Sequence, residues 1–125
     1  KLYEYFDMIQ TQIKPISTVS SSNNIKTVKH YIQENYADPY LSLSTIAAHI
    51  SLNASYLCTE FTKSENMTLS SFITNVRIEH AQNLLLYSEM RIADISLAVG
   101  YLNATYFSTT FKKVTGQTPS EFRKQ

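Results

Sequence analysis

Between Thr68 and Tyr87 the sequence TLSSFITNVRIEHAQNLLLY carries apolar residues on two sides of a helix rather than one. At about 3.6 residues per turn, Leu69, Phe72, Ile73, Val76, His80 and Leu84 fall on one side, and Ile78, Ala81 and Leu85 fall nearly opposite. A helix lying on a surface needs a single apolar stripe. Two stripes predict a helix gripped by two bodies, one built from the residues before it and one from the residues after it.

The flanking segments read as those two bodies. Leu2, Phe6, Ile9 and Ile13 form a heptad-like seam ended by Pro15; it is either a connector from a preceding portion of the protein or a short amphipathic helix lying on its own domain. Residues 16–24, ISTVSSSNN, are polar and aperiodic and are expected to be a linker. A helix is expected over 25–36, with Ile25, Val28, Lys29 and Ile32 on one face and Asp38-Pro39 as its stop. Ser42 then caps a short helix over 43–50, Ser51 and Leu52 make a tight break, and Asn53 caps a longer helix over 54–65 whose Tyr56, Leu57 and Phe61 face inward. Asn66 stands where a left-handed residue ends such a helix.

After Tyr87 the plan returns. A short helix over 92–99 ends at Gly100, Asn103 caps a longer one over 104–115, Gly116 closes it, and Thr118-Pro119-Ser120-Glu121 starts a last helix over 119–125 with cap, proline and returning glutamate in order. Ile46, Ala47 and Ile50 match Ile95, Ser96 and Val99 at an offset of ~49. Tyr56, Leu57, Phe61, Lys63, Asn66, Thr68 and Phe72 match Tyr106, Phe107, Phe111, Lys113, Gly116, Thr118 and Phe122 at ~50, so one residue is inserted in the second turn. Short helix, tight turn, longer helix is the order of a helix-turn-helix, here written twice. The fold expected is all-α: seven helices, with two helix-turn-helix subdomains over 43–65 and 92–115 joined by the long central helix 68–87.

Composition narrows the chemistry. The chain has 125 residues, 43% hydrophobic, enough for a core, and no apolar run approaches the ~20 residues of a membrane span. A cytoplasmic setting with no membrane partner is expected. The single Cys58 excludes an internal disulfide. The charge of +1 gives no support by itself to a polyanionic partner. His30, His49 and His80 are scattered, no zinc spacing accompanies the one cysteine, and two glycines make no phosphate-binding loop. Neither an enzyme nor a cofactor or metal site is expected, and His80, on an apolar helix face, reads as a packing residue.

The second half carries Arg77-x3-Ala81-x2-Leu84-Leu85, then Ile92-x2-Ile95-x3-Val99-Gly100-Tyr101, then Tyr106-Phe107-x3-Phe111-Lys112-Lys113-x2-Gly116-x-Thr118-Pro119-x2-Phe122-Arg123. In these residues the chain resembles the DNA-binding region of the AraC/XylS family of bacterial transcription regulators, and the resemblance extends over Ile25–Gln125. It implies sequence-specific binding of double-stranded promoter DNA, RNA polymerase as a further partner, and a sensing or receiver domain in the full-length protein. Thr62 replaces a basic residue common in the family and Asn66 a common glycine, which implies weaker phosphate binding by the first motif.

In a helix-turn-helix the second helix lies in the major groove with its N-terminal residues against base edges. With Leu57 and Phe61 turned to the core, the opposite face of the first reading helix shows Ala54, Ser55, Cys58, Thr59 and Thr62; Ala104, Thr105, Ser108, Thr109 and Lys112 are their equivalents. The base-reading candidates are therefore Ala54, Ser55, Cys58, Thr59, Ala104, Thr105, Ser108 and Thr109, and the phosphate candidates Thr62, Lys63, Lys112, Lys113 and Arg123. Arg77 has two readings, a phosphate clamp between the motifs or an intramolecular partner of Glu79 or another acid. A helical module for binding another protein is the alternative reading of the whole chain, and salt dependence separates the two, since DNA affinity falls steeply with ionic strength.

Overall fold

The computed structural model describes the backbone from Ser17 to Gln125 and side chains from Asn23 onward. The seam at Leu2–Ile13 lies outside the described residues. Within them are seven helices and no strand: α1 (Ser17–Asn35), α2 (Leu43–His49), α3 (Ala54–Glu65), α4 (Leu69–Tyr87), α5 (Ile92–Ala98), α6 (Ala104–Thr115) and α7 (Pro119–Lys124).

The helix starts follow from capping chemistry. A helix leaves its first N–H groups unpaired, and a preceding Ser, Thr or Asn oxygen accepts one of them. Ser42 accepts from Thr45, Asn53 from Tyr56, Thr68 from Ser71, Asn103 from Tyr106 and Thr118 from Glu121. Arg91, before α5, makes no side-chain cap; it instead pairs with Asp94 in the first turn at 3.0 Å. At the other ends, Asn66 and Gly116 adopt the left-handed conformation.

One boundary differs from expectation. Residues 17–24, read as linker, are the first two turns of α1. Once Ile25, Val28 and Ile32 are buried and the helix nucleated, each added residue gains a backbone bond, and Ser, Thr and Asn oppose this by only ~0.7 kcal/mol or less each. The Thr27 hydroxyl also turns back to the Asn23 carbonyl, 2.9 Å away, within the helix.

The helices enclose two cores. Ile25, Val28, Ile32, Ile46, Leu57, Phe61, Leu69, Ile73 and Val76 belong to the first; Ile78, Ala81, Leu85, Ile95, Val99, Tyr101, Phe107 and Phe111 form the second. Burying each of the large side chains is worth ~1.5–3 kcal/mol. The two stripes of α4 are thus also displaced along its axis, its N-terminal half in one core and its C-terminal half in the other. Leu84, assigned by spacing to the first side, packs against the second core because it lies in that C-terminal half.

The repeat holds at the matched phenylalanines and then extends beyond them. Phe61 meets Phe72 edge to face at 5.4 Å and Phe111 meets Phe122 likewise at 5.5 Å, so α7 closes the second unit as the start of α4 closes the first. Ile25, Val28 and Ile32 of α1 occupy in the first core the place that Ile78, Ala81 and Leu85 of α4, with the same spacing, occupy in the second. Helix α4 is therefore the closing helix of one unit and the scaffold of the next. His80 stacks on Tyr36 at 3.9 Å with rings 8° apart, a packing histidine as expected.

Candidate nucleic-acid interface

Each helix-turn-helix is set by its turn. After α2 the chain reverses through Ser51 at φ 59°, and the Leu52 N–H donates to the Ala47 carbonyl at 2.9 Å; after α5 Gly100 takes φ 103°, and the Tyr101 N–H donates to the Ser96 carbonyl at 2.9 Å. Buried Ser96 adds a bond from its hydroxyl to the Tyr101 carbonyl. The inserted residue of the second turn is Leu102, which is exposed. Asn53 and Asn103 then start α3 and α6, each twelve residues long and each anchored by a buried pair, Leu57 with Phe61 and Phe107 with Phe111.

Anchoring one face presents the other. On α3, Ser55, Thr59, Thr62 and Lys63 are exposed and Ala54 and Cys58 half-buried, Ala54 packing partly against the first core. On α6, Ala104, Thr105, Thr109, Lys112 and Lys113 are exposed and Ser108 half-buried. The candidates thus lie on two corresponding faces. Thr109 donates its hydroxyl hydrogen to the Thr105 carbonyl at 3.0 Å, which leaves its oxygen as an acceptor. Lys63 approaches Glu60 at 3.9 Å, an exposed pair of little energetic weight.

Two candidate side chains do other work. Arg123, read as a phosphate contact, donates from Nε to the Leu85 carbonyl at 3.0 Å and from Nη1 to the Met90 carbonyl at 2.7 Å; Nη2 reaches the carbonyls of Ser88 and Leu84. A guanidinium at a helix C-terminus satisfies carbonyls that have no intrahelical donor and meets the negative end of the helix dipole. Arg123 is accordingly the cap of α4 and the tie of α7 to it. Arg77 pairs with neither Glu79 nor another carboxylate among the described residues; its guanidinium donates to the main-chain carbonyls of Tyr36 and Asp38. The intramolecular reading of Arg77 stands, with a different partner.

Two further residues belong to these surfaces. Tyr56, placed inward by its helical spacing, is 41% exposed, and its counterpart Tyr106 is 62% exposed. The residue after each, Leu57 or Phe107, takes the core position, and adjacent residues on a helix face about 100° apart. Tyr106 also lies on the rim of a cleft of about 430 Å³ between α6 and the start of α4, lined by Ser70, Ser71, Thr74, Asn75 and Lys113 among others and by no carboxylate. Burial raises the Tyr101 hydroxyl above its ordinary pKa, against the opposing influence of the Arg77 charge. No group of three His, Cys, Asp or Glu side chains among the described residues is placed to hold a metal ion, and no helix among them is long and apolar enough to cross a membrane.

Two helix-turn-helix units on one shared helix, each offering the exposed face of its second helix, define a tandem helix-turn-helix DNA-binding domain. The chain belongs to the AraC/XylS family of bacterial transcription regulators, and residues 46–125 match the family described as a helix-turn-helix domain. It is 35% identical over 116 residues to the Msm operon regulatory protein of Streptococcus mutans, covering 89% of this chain and 41% of that protein. It is 36% identical over 94 residues to the melibiose operon regulatory protein of Escherichia coli, covering 75% and 31%. The chain therefore spans less than half the length of these curated relatives. Among solved structures, the C-terminal domain of AraT, a response regulator from Geobacillus stearothermophilus, superposes with a TM-score of 0.80 at 31% identity, covering 81% of this chain and 84% of that one.

Proposed function

We propose that this region regulates transcription by inserting α3 and α6 into successive major grooves of promoter DNA. The observation that carries the reading is the repetition of one exposed helix face on an unbroken α4. Its 19 residues span roughly 28 Å at ~1.5 Å each, and successive major grooves on one side of B-DNA lie ~34–36 Å apart. On this reading the turns and the bodies of the two units are to make up the difference. One chain then reads two neighbouring grooves without a partner subunit.

Within this reading Ala54, Ser55, Cys58 and Thr59 of α3 and Ala104, Thr105, Ser108 and Thr109 of α6 face base edges, while Thr62, Lys63, Lys112 and Lys113 face phosphates. Arg, Asn and Gln, the side chains that make bidentate bonds to guanine or adenine, are absent from both faces. Recognition then rests on hydroxyl hydrogen bonds, on methyl contacts to thymine and on DNA shape, which favours A·T-rich sites. A sensing or receiver portion elsewhere in the full-length protein and contact with RNA polymerase complete the proposal. The greater length of the curated relatives and the response-regulator origin of the AraT domain support the first of these.

Selection of bound sequences from a random duplex pool tests it. The expected result is an A·T-rich consensus of two half-sites about one helical turn apart, with affinity falling steeply between about 50 and 200 mM salt. A G·C-rich consensus would overturn the readout, and affinity insensitive to salt would favour a protein partner instead.

A further inference from the structure

The two reading units meet around the side chain of Arg77, beside Tyr36, which packs against both cores. Arg77 leaves the middle of α4, and its guanidinium donates from Nε to the Tyr36 carbonyl at 2.9 Å and from Nη2 to the Asp38 carbonyl at 2.8 Å. Both carbonyls belong to the connection between α1 and α2, in the first unit. From the second unit, the Tyr101 ring lies 5.4 Å from the guanidinium carbon. Gly100 packs so closely that a Cβ on it would stand 2.6 Å from the Tyr36 carbonyl oxygen and 2.9 Å from Arg77 Nε. Arg77 belongs to neither buried core, so its contacts add to the link that α4 already makes between them. Only a planar guanidinium serves here, because it bonds two carbonyls at once while offering a face to an aromatic ring; an ammonium group is a point donor without that face.

We propose that Arg77, seated against Gly100, is a positioning residue that locks the angle and separation of α3 and α6, and thereby makes half-site spacing a determinant of specificity. The proposal rests on the two-groove reading above. Moving one half-site by a single base pair displaces its groove by ~3.4 Å and rotates it by ~34°. A rigid pair of reading helices then loses simultaneous engagement, and with it the gain in affinity that comes from linking two sites. A loosened pair follows the displaced site but gains less at the native spacing.

The test measures the affinity of the 125-residue chain, and of its Arg77→Lys and Arg77→Met variants, for duplexes carrying the selected half-sites at native spacing, with one base pair added or removed, and with one half-site scrambled. The wild type should lose on the order of tenfold when the spacing changes. The variants should lose less than about threefold, bind the native spacing several-fold more weakly, and keep single-half-site affinity within about twofold. Gly100→Ala, whose Cβ crowds both the Tyr36 carbonyl and the guanidinium bound to it, should flatten the spacing profile in the same way. Variants that are folded by circular dichroism and keep the wild-type spacing profile, or that lose affinity equally on the single half-site, would overturn the lock; so would failure of all three to fold, which would make Arg77 a folding residue. A wild type that binds two half-sites no better than one would overturn the two-groove reading itself.

Discussion

Ser51 and Gly100 hold the same place in the two turns, and both lie at positive φ, 59° and 103°. An L-residue in that region meets its own carbonyl, at a cost of roughly 1–2 kcal/mol, and glycine escapes this. Ser51→Gly should therefore raise stability by ~0.5–1 kcal/mol, the remainder being lost to the greater freedom of the unfolded chain, as measured by urea denaturation. In the reverse direction the two glycines separate strain from space. Gly116 has nothing within 4 Å of an added Cβ, so Gly116→Ala should cost only ~1 kcal/mol. Gly100→Ala adds a clash with the Tyr36 carbonyl and should cost ~2–4 kcal/mol. Arg123 gives a second prediction at this scale: Arg123→Ala removes the donor to the Leu85 carbonyl at the end of α4 and to the Met90 carbonyl beyond it and should cost ~1–3 kcal/mol, with the salt dependence of DNA binding unchanged. The sequence presents Arg123 as one more cation in a basic tail. Its partners stand 33 to 39 positions earlier, and no local pattern discloses them.

At the scale of the element, the helix starts are legible because capping is local: a Ser, Thr or Asn oxygen meets an N–H group three positions on, within one turn. The start of α1 is not, since its first turns carry no apolar periodicity and owe their helicity to the buried turns beginning at Ile25. Helix α7 has only six residues and depends most on its cap, where Thr118 and Glu121 satisfy one another. The Thr118 backbone N–H, then its side chain, hold the Glu121 carboxyl below its ordinary pKa. A carboxyl depressed in the folded state contributes stability above its unfolded value and loses it as pH falls through the folded one. The difference in melting temperature between wild type and Glu121→Ala should hence be present in full at neutral pH. It should shrink once the pH drops below the ordinary carboxyl range, as a series of melts across pH would reveal.

The whole molecule shows why the two-fold plan can be read while its full extent cannot. The matches between the two helix-turn-helix units keep an offset of ~49 to ~50, but the correspondence of Ile25, Val28 and Ile32 with Ile78, Ala81 and Leu85 lies at ~53, out of register with the rest. Helical spacing misplaces Leu84 for a related reason: angular position says which way a side chain points and not which end of a long helix it belongs to. With a net charge of only +1, attraction for DNA must come from where the cations lie. Lys112→Ala should weaken binding to all sequences alike and reduce the slope of log affinity against log salt by about 1, whereas Thr109→Arg should change the preferred sequence. Both outcomes are read from binding isotherms at several salt concentrations.

Because α4 ends one unit and begins the next, the halves of this domain are not exchangeable cassettes. A chimaera joined anywhere along that helix would bring together a front and a back adapted to different neighbours. On the two-groove reading proposed above, the outward positions of α3 and α6 are where binding preference can diversify without disturbing the frame they share.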